Sequence, residues 1–262
     1  STTELGIWIY DLTRQTLTRL TPPEGESYFP RWSPDGKRIV FDSLESGIRT
    51  LRWQRSDGSA PPELLAEEAA YPSSWSPDGR ELAVVDDSPA ISALDLTVQP
   101  PLLRPLAATP NPGWPAFSPD GHWLAFAGAP LSEMWQVYLQ PYPGPGPRLQ
   151  VSVENGLSPA WNPNGKEIFF LQFQDEWRAR MMSVSVTLGA TATLDSPRQL
   201  FEFNMDQLDM VSLPSNSFAV APDGQRFFAL QPVKADPPPP VTQIHLIQNW
   251  LAELEAKVPS GL

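Results

Sequence analysis

The chain has no cysteine and only two histidines, His122 and His245. A disulfide framework and a thiolate metal site are therefore excluded, and the two histidines do not form a His-Glu-x-x-His zinc pair. Basic residues are also scarce, with 18 Lys and Arg against 30 Asp and Glu for a formal charge of −12. No Lys/Arg cluster offsets that balance, so no nucleic-acid partner is expected, and anionic lipid is a poor one. There is no apolar run of about 18 residues, so no direct membrane insertion is expected of this chain, and no signal-peptide pattern opens it. The first residues, Ser-Thr-Thr, lack Met, and a piece of a longer polypeptide is the expectation. Gly-x-Ser-x-Gly elbows, EF-hand loops and strand-flanked phosphate loops are missing as well. No cofactor, no metal and no linear catalytic set is expected.

What the chain does have is proline, 32 residues of it, together with 10 Trp, 12 Phe and 41% hydrophobic residues. That composition supplies a core and excludes a disordered chain. Proline at this density disfavours helices and suits short strands joined by tight turns.

The organising feature is an internal repeat. "RWSPDGKRIVF", "SWSPDGRELAV", "AFSPDGHWLAF", "AWNPNGKEIFF" and "AVAPDGQRFFA" place their first turn residues at Ser33, Ser76, Ser118, Asn162 and Ala221. The intervals are 43, 42, 44 and 59 residues, and three of them match a four-stranded propeller blade. An aromatic ends one strand, Pro presets φ at the corner, Asp or Asn bonds back to its own backbone, and Gly supplies the positive φ. An apolar run such as "RIVF" or "EIFF" comes next, suited to a strand covered on both faces. The turn residues Asp35, Asp78, Asp120, Asn164 and Asp223 are read as structural, because Asn replaces Asp at one of the five positions.

The expected fold is all-β: a β-propeller of four-stranded antiparallel blades in one domain over 1–262. The units run about 29–66, 71–108, 113–153 and 157–203, with 217–249 closed by 7–20 into a composite fifth blade. A short amphipathic helix is expected over 250–258, after the polyproline spacer 234–240 and an N-cap at Asn249.

These repeats resemble the TolB-like, WD-type propeller repeat. "IWIYDLTRQTLTRLT", "VYLQPYPGPGPRLQVS", "SFAVAPDGQRFF" and "QIHLIQNWLAELEAKVP" are similar to the C-terminal propeller of bacterial membrane-bound serine/threonine protein kinases. None of the kinase catalytic motifs is present. The resemblance implies six blades as the alternative to five, since a first strand pair with its own Pro-Asp-Gly turn usually precedes "IWIYDL" and is missing here. It also implies a bacterial signalling or sensor module in a periplasmic or extracytoplasmic setting.

In a propeller the loops between blades and between second and third strands share one face around the central channel, opposite the Pro-Asp-Gly turns. That face gathers Tyr28, Phe29, Tyr71, Trp114, Trp135 and Trp177 among acids such as Glu67–Glu68 and Asp86–Asp87. Aromatics are the usual anchors of an interface. The long connection 204–215 adds Met205, Leu208 and Met210, more apolar surface than a connector needs. Binding is expected to start at Tyr28–Phe29 and Asp42–Ser43, where the first unit reaches this face. The expected function is non-catalytic binding of a protein, a peptide or a cell-envelope ligand. Two alternatives stay open: a propeller hydrolase with an acidic or metal-assisted channel site, and a structural assembly module.

Overall fold

The structure is a computed structural model that describes residues 5–67, 70–86, 90–108, 111–129, 134–144, 146–208, 210 and 218–231. Among the described residues all regular structure is β. The first hairpin pairs β1 (Trp8–Asp11) with β2 (Thr16–Arg19). Four antiparallel sheets follow in chain order. The first is β3 (Glu26–Trp32), β4 (Arg38–Glu45), β5 (Ile48–Arg55) and β6 (Glu63–Ala66). The second is β7 (Ala70–Trp75), β8 (Glu81–Asp86), β9 (Ala90–Asp95) and β10 (Leu102–Ala108). The third is β11 (Gly113–Phe117), β12 (Trp123–Gly128), β13 (Gln136–Pro141) and β14 (Leu149–Gln150). The fourth is β15 (Leu157–Trp161), β16 (Glu167–Phe173) and β17 (Arg178–Thr187), with β18 (Thr193–Leu194) and β19 (Arg198–Asn204) both paired to β17. A last hairpin joins β20 (Phe218–Val220) and β21 (Phe227–Ala229). These repeated antiparallel sheets, four-stranded in the first three and five-stranded in the fourth, make a β-propeller.

The second strand of each blade explains why the sheets stack. Ile39, Val40 and Phe41 of β4 are all buried, as are Leu82 to Val85 of β8, Leu124 to Ala127 of β12 and Ile168 to Leu171 of β16. A strand buried on both faces needs apolar residues at every position, not alternate ones. Val40, Leu51 and Leu65 of the first blade meet Leu82, Val84 and Leu94 of the second. Phe117, Leu124 and Phe126 of the third pack on Ala83 and Ile91. Each large side chain so removed from water contributes roughly 1.5–3 kcal/mol before entropy is counted.

The terminal hairpins extend this stack at its two ends. Ile7 and Leu20 pack on Ile39 and Phe41 of the first blade, while Phe218, Val220 and Phe227 pack with Phe169 and Leu171 of the fourth. Among the described residues the hairpins are separate two-stranded sheets. The rest of the expected closing blade, residues 232–249, and the helix expected over 250–258 lie outside the described residues.

Candidate functional site

The Pro-Asp-Gly turns close on themselves. In the first, the Ser33 hydroxyl donates to Asp35 Oδ1 (2.6 Å) and accepts from the Arg38 amide (3.0 Å), while the Lys37 amide donates to Asp35 (3.0 Å). Ser76 with Asp78 and Ser118 with Asp120 repeat the pattern. In the fourth turn Asn164 accepts from the Lys166 amide at 2.8 Å, and in the fifth Asp223 accepts from the Gln225 amide at 3.0 Å. The Ser33 bond to Asp35 and the Ser76 bond to Asp78 hold those carboxyls below the usual aspartate range, and the Gln225 amide does the same for Asp223. These groups are occupied by their own turns. Successive turns are also close: a Cβ on Gly79 would reach Pro34 at 3.8 Å, and one on Gly224, whose φ is 67°, would collide with the Asn162 side-chain amide, so that position requires glycine.

Successive first strands are neighbours, from β3 to β7, β7 to β11, β11 to β15 and β15 to β20. All five line a channel of about 430 Å³. Its lining is proline, alanine, serine and aromatic, with Arg31 as the charged member and no carboxylate among the described lining residues. Arg31 Nε donates to the Ser73 carbonyl at 2.7 Å, and Nη1 to the Pro30 carbonyl at 2.9 Å. Burial lowers the Arg31 guanidinium to about 10, which still leaves it charged at neutral pH.

Above the channel four of these five first strands, β3, β7, β11 and β15, are interrupted. The register shifts between Tyr28 and Arg31, between Pro72 and Ser74, between Gly113 and Ala116, and between Leu157 and Ala160. At three of these bulges a non-glycine residue takes a left-handed φ: Phe29 at 52°, Trp114 at 50° and Ser158 at 53°. A Pro follows each of them, at positions 30, 115 and 159. Left-handed φ costs bulky residues of order 1–3 kcal/mol, and such strain concentrates at sites that bind or switch.

The mouth over the first two blades brings three of the expected binding residues together. Phe29 meets Tyr71 edge-on at 5.5 Å and Tyr28 at 6.0 Å. Arg49, just past the Ser46–Gly47 hairpin tip, lies 5.6 Å from the Tyr28 ring and 5.3 Å from the Tyr71 ring. Its guanidinium donates to Asp42 Oδ2. Asp42 is only 1% exposed, and its Oδ1 accepts no hydrogen bond among the described residues. Burial raises the Asp42 carboxyl, and Arg49 partly opposes that shift. Tyr28 donates its hydroxyl to Glu26, and that bond, reinforced by burial, raises the phenol.

The other expected residues are placed differently. Trp114 is 2% exposed and meets Trp135 edge-on at 5.0 Å. Met210 is buried in the same cluster, where Trp135, Met205 and Leu208 pack half-buried. These five residues staple the third and fourth blades together, whereas Trp177 is 66% exposed. Residues 209 and 211–215 of the long connection lie outside the described residues. Arg49 and Arg31 carry no motif of their own. The signal that pointed toward the Arg49 pair was Asp42, an acid inside the buried run "RIVFDS".

No family profile matches the chain, and no curated protein matches it. Solved structures do. TolB from Acinetobacter baumannii aligns with a TM-score of 0.60 at 18% identity, over 76% of this chain and 51% of that one. A TolB candidate from Agrobacterium tumefaciens aligns with a TM-score of 0.52 at 17% identity, over 76% of this chain and 89% of that one. A puromycin-hydrolyzing peptidase of Mycobacterium tuberculosis aligns with a TM-score of 0.56 at 18% identity, over 82% of this chain and 38% of that one. The chain thus spans about half of the Acinetobacter protein and less of the peptidase. At these identities the fold is what is shared: a TolB-like β-propeller.

Proposed function

We propose that this TolB-like propeller is a non-catalytic binding module that takes a protein or peptide segment at the mouth of its first two blades. The observation carrying this reading is the Tyr28–Phe29–Tyr71 cluster, half-buried and built around a residue with strained backbone. Half-exposed aromatics on a rigid scaffold bury large area at little entropic cost when a partner docks. A catalytic reading gains little support from a channel whose described lining has one guanidinium and no carboxylate. The test is affinity capture from a bacterial cell-envelope extract with the intact chain and its Tyr71→Ala variant. A partner retained by the parent and by Asp35→Asn, but lost with Tyr71→Ala, is the expected result. Retention unchanged by Tyr71→Ala would sink the reading.

The setting proposed is extracytoplasmic, within a bacterial signalling protein. The similarity of the strand sequences to kinase-linked propellers and the absence of cysteine support it. A gene without a kinase domain and membrane span upstream of this segment would remove the kinase part of that proposal. Five-blade closure is proposed as well, supported by five first strands around one channel. A sixth first strand at that channel in an experimental structure would overturn it.

A further inference from the structure

Charge at the mouth is uneven. Segments 21–28 and 42–52 together with Glu67 hold five acidic residues against two basic ones, Arg49 and Arg52, among the described residues. Both arginines already pair with acids of the same corner, Arg49 with Asp42 and Arg52 with Glu45 at 3.3 Å. The corner is therefore net negative even after its internal pairing. Within it, Asp42 is a deeply buried carboxylate with one oxygen that accepts no hydrogen bond among the described residues. A buried carboxylate needs more than one donor to offset its desolvation. Directly above, two tyrosine rings flank a guanidinium at distances where cation–π attraction operates. Two π-faces and a carboxylate make a cation box, and the chain fills it with its own Arg49, whose side chain is 32% exposed.

From these observations we propose that the mouth binds a basic polypeptide segment, one of whose guanidinium or ammonium groups takes the place of Arg49 between Tyr28 and Tyr71 and over Asp42. The inference rests on the binding reading given above and adds the chemistry of the partner. Arg49 then acts as an internal stand-in: it keeps Asp42 neutralised in the free protein and swings out through the Ser46–Gly47 tip when the guest enters. Glu26, Glu45 and Glu67 supply the long-range attraction that steers a cationic segment to the mouth.

The probe is a fluorescent peptide of alternating Arg and Gly, with a Glu–Gly peptide of equal length as its counterpart, titrated against the full chain. The Arg peptide is expected to bind at low salt and to weaken about tenfold or more at high salt. Asp42→Asn should weaken it about tenfold, and Glu45→Gln and Glu67→Gln about threefold each. Arg49→Gln should tighten binding, because the box is emptied. The two glutamate variants change exposed side chains, so they remain informative if a change at Asp42 or Arg49 impairs folding. An Arg peptide whose binding ignores all four substitutions would overturn the proposal. Binding of the Glu peptide instead, lost with Tyr71→Ala, would overturn the cationic chemistry while leaving the mouth as the site. Failure of both peptides together with envelope capture indifferent to Tyr71→Ala would remove the underlying reading as well.

Discussion

On the turn face every one of the first four repeats closes its corner with its own Asp or Asn and backbone amides. At the mouth of the first two blades, by contrast, a carboxylate is buried against a single guanidinium beside a strained Phe29. Both ends of each first strand face the same steric demand, since five strands must converge on one channel. The turn end meets it with Pro and Gly, residues suited to the required φ. The mouth end meets it with bulges that force Phe, Trp and Ser into left-handed φ. The turn carboxylates are satisfied within their own corners, whereas Asp42 depends on one partner where binding is proposed.

The sharpest way to break that contrast is Arg49→Ala, which strands the buried Asp42. A loss of about 3 kcal/mol in urea denaturation is expected. Next is the turn-end change Ser118→Ala. It removes the acceptor for the Trp123 amide and the donor to Asp120, in a residue with no exposure at all. About 1.5 kcal/mol should be lost. At the mouth end Ser158→Gly should act in the opposite sense. Ser158 combines left-handed φ with a buried hydroxyl that has no partner among the described residues, so relieving both should gain about 1 kcal/mol in thermal denaturation.

The smallest effects separate the two faces by pH. Asp35, Asp78 and Asp223 sit below their unfolded values when folded, so their contribution is present above the unfolded aspartate value and fades as pH falls through the folded one. Asp42 is raised, so its sign is reversed: its burial costs more as pH rises past its unfolded value, and protonation relieves the cost. Replacing the three turn aspartates with Asn should therefore flatten the acid limb of the urea midpoint below about pH 4. Asp42→Asn should lift the midpoint at neutral pH relative to that at pH 4. Asp35→Asn alone should lower the midpoint at neutral pH slightly and leave it unmoved in acid, since Asn keeps the amide bond, as Asn164 does in its own turn, but not the charge.

Much of the architecture was legible from the repeat. The spacing and the doubly apolar second strands specify blades, because periodicity and turn chemistry are local properties. The mouth was only half legible. Tyr28, Phe29 and Tyr71 could be assigned to one face by counting from the turns, but Trp114 occupies the same repeat position as Phe29 and is buried by Trp135. Whether an aromatic at that position faces a partner or a neighbouring blade depends on the side chains packed against it from other strands, which one repeat cannot report. Arg49 escaped because its role comes from cross-strand proximity to Asp42, and no motif encodes that.

The bulge in β3, β7, β11 and β15 has a wider consequence. Side chains on a strand alternate between faces, and one extra residue resets the alternation. The segment below the bulge and the segment above it are thus independently addressed: one faces the channel and neighbouring blades, the other the mouth. On the binding reading proposed above, substitutions at Tyr28 or Tyr71 should change the mouth without disturbing how the blades converge. The kink works as a joint between the part of the strand that builds the scaffold and the part whose side chains form the mouth.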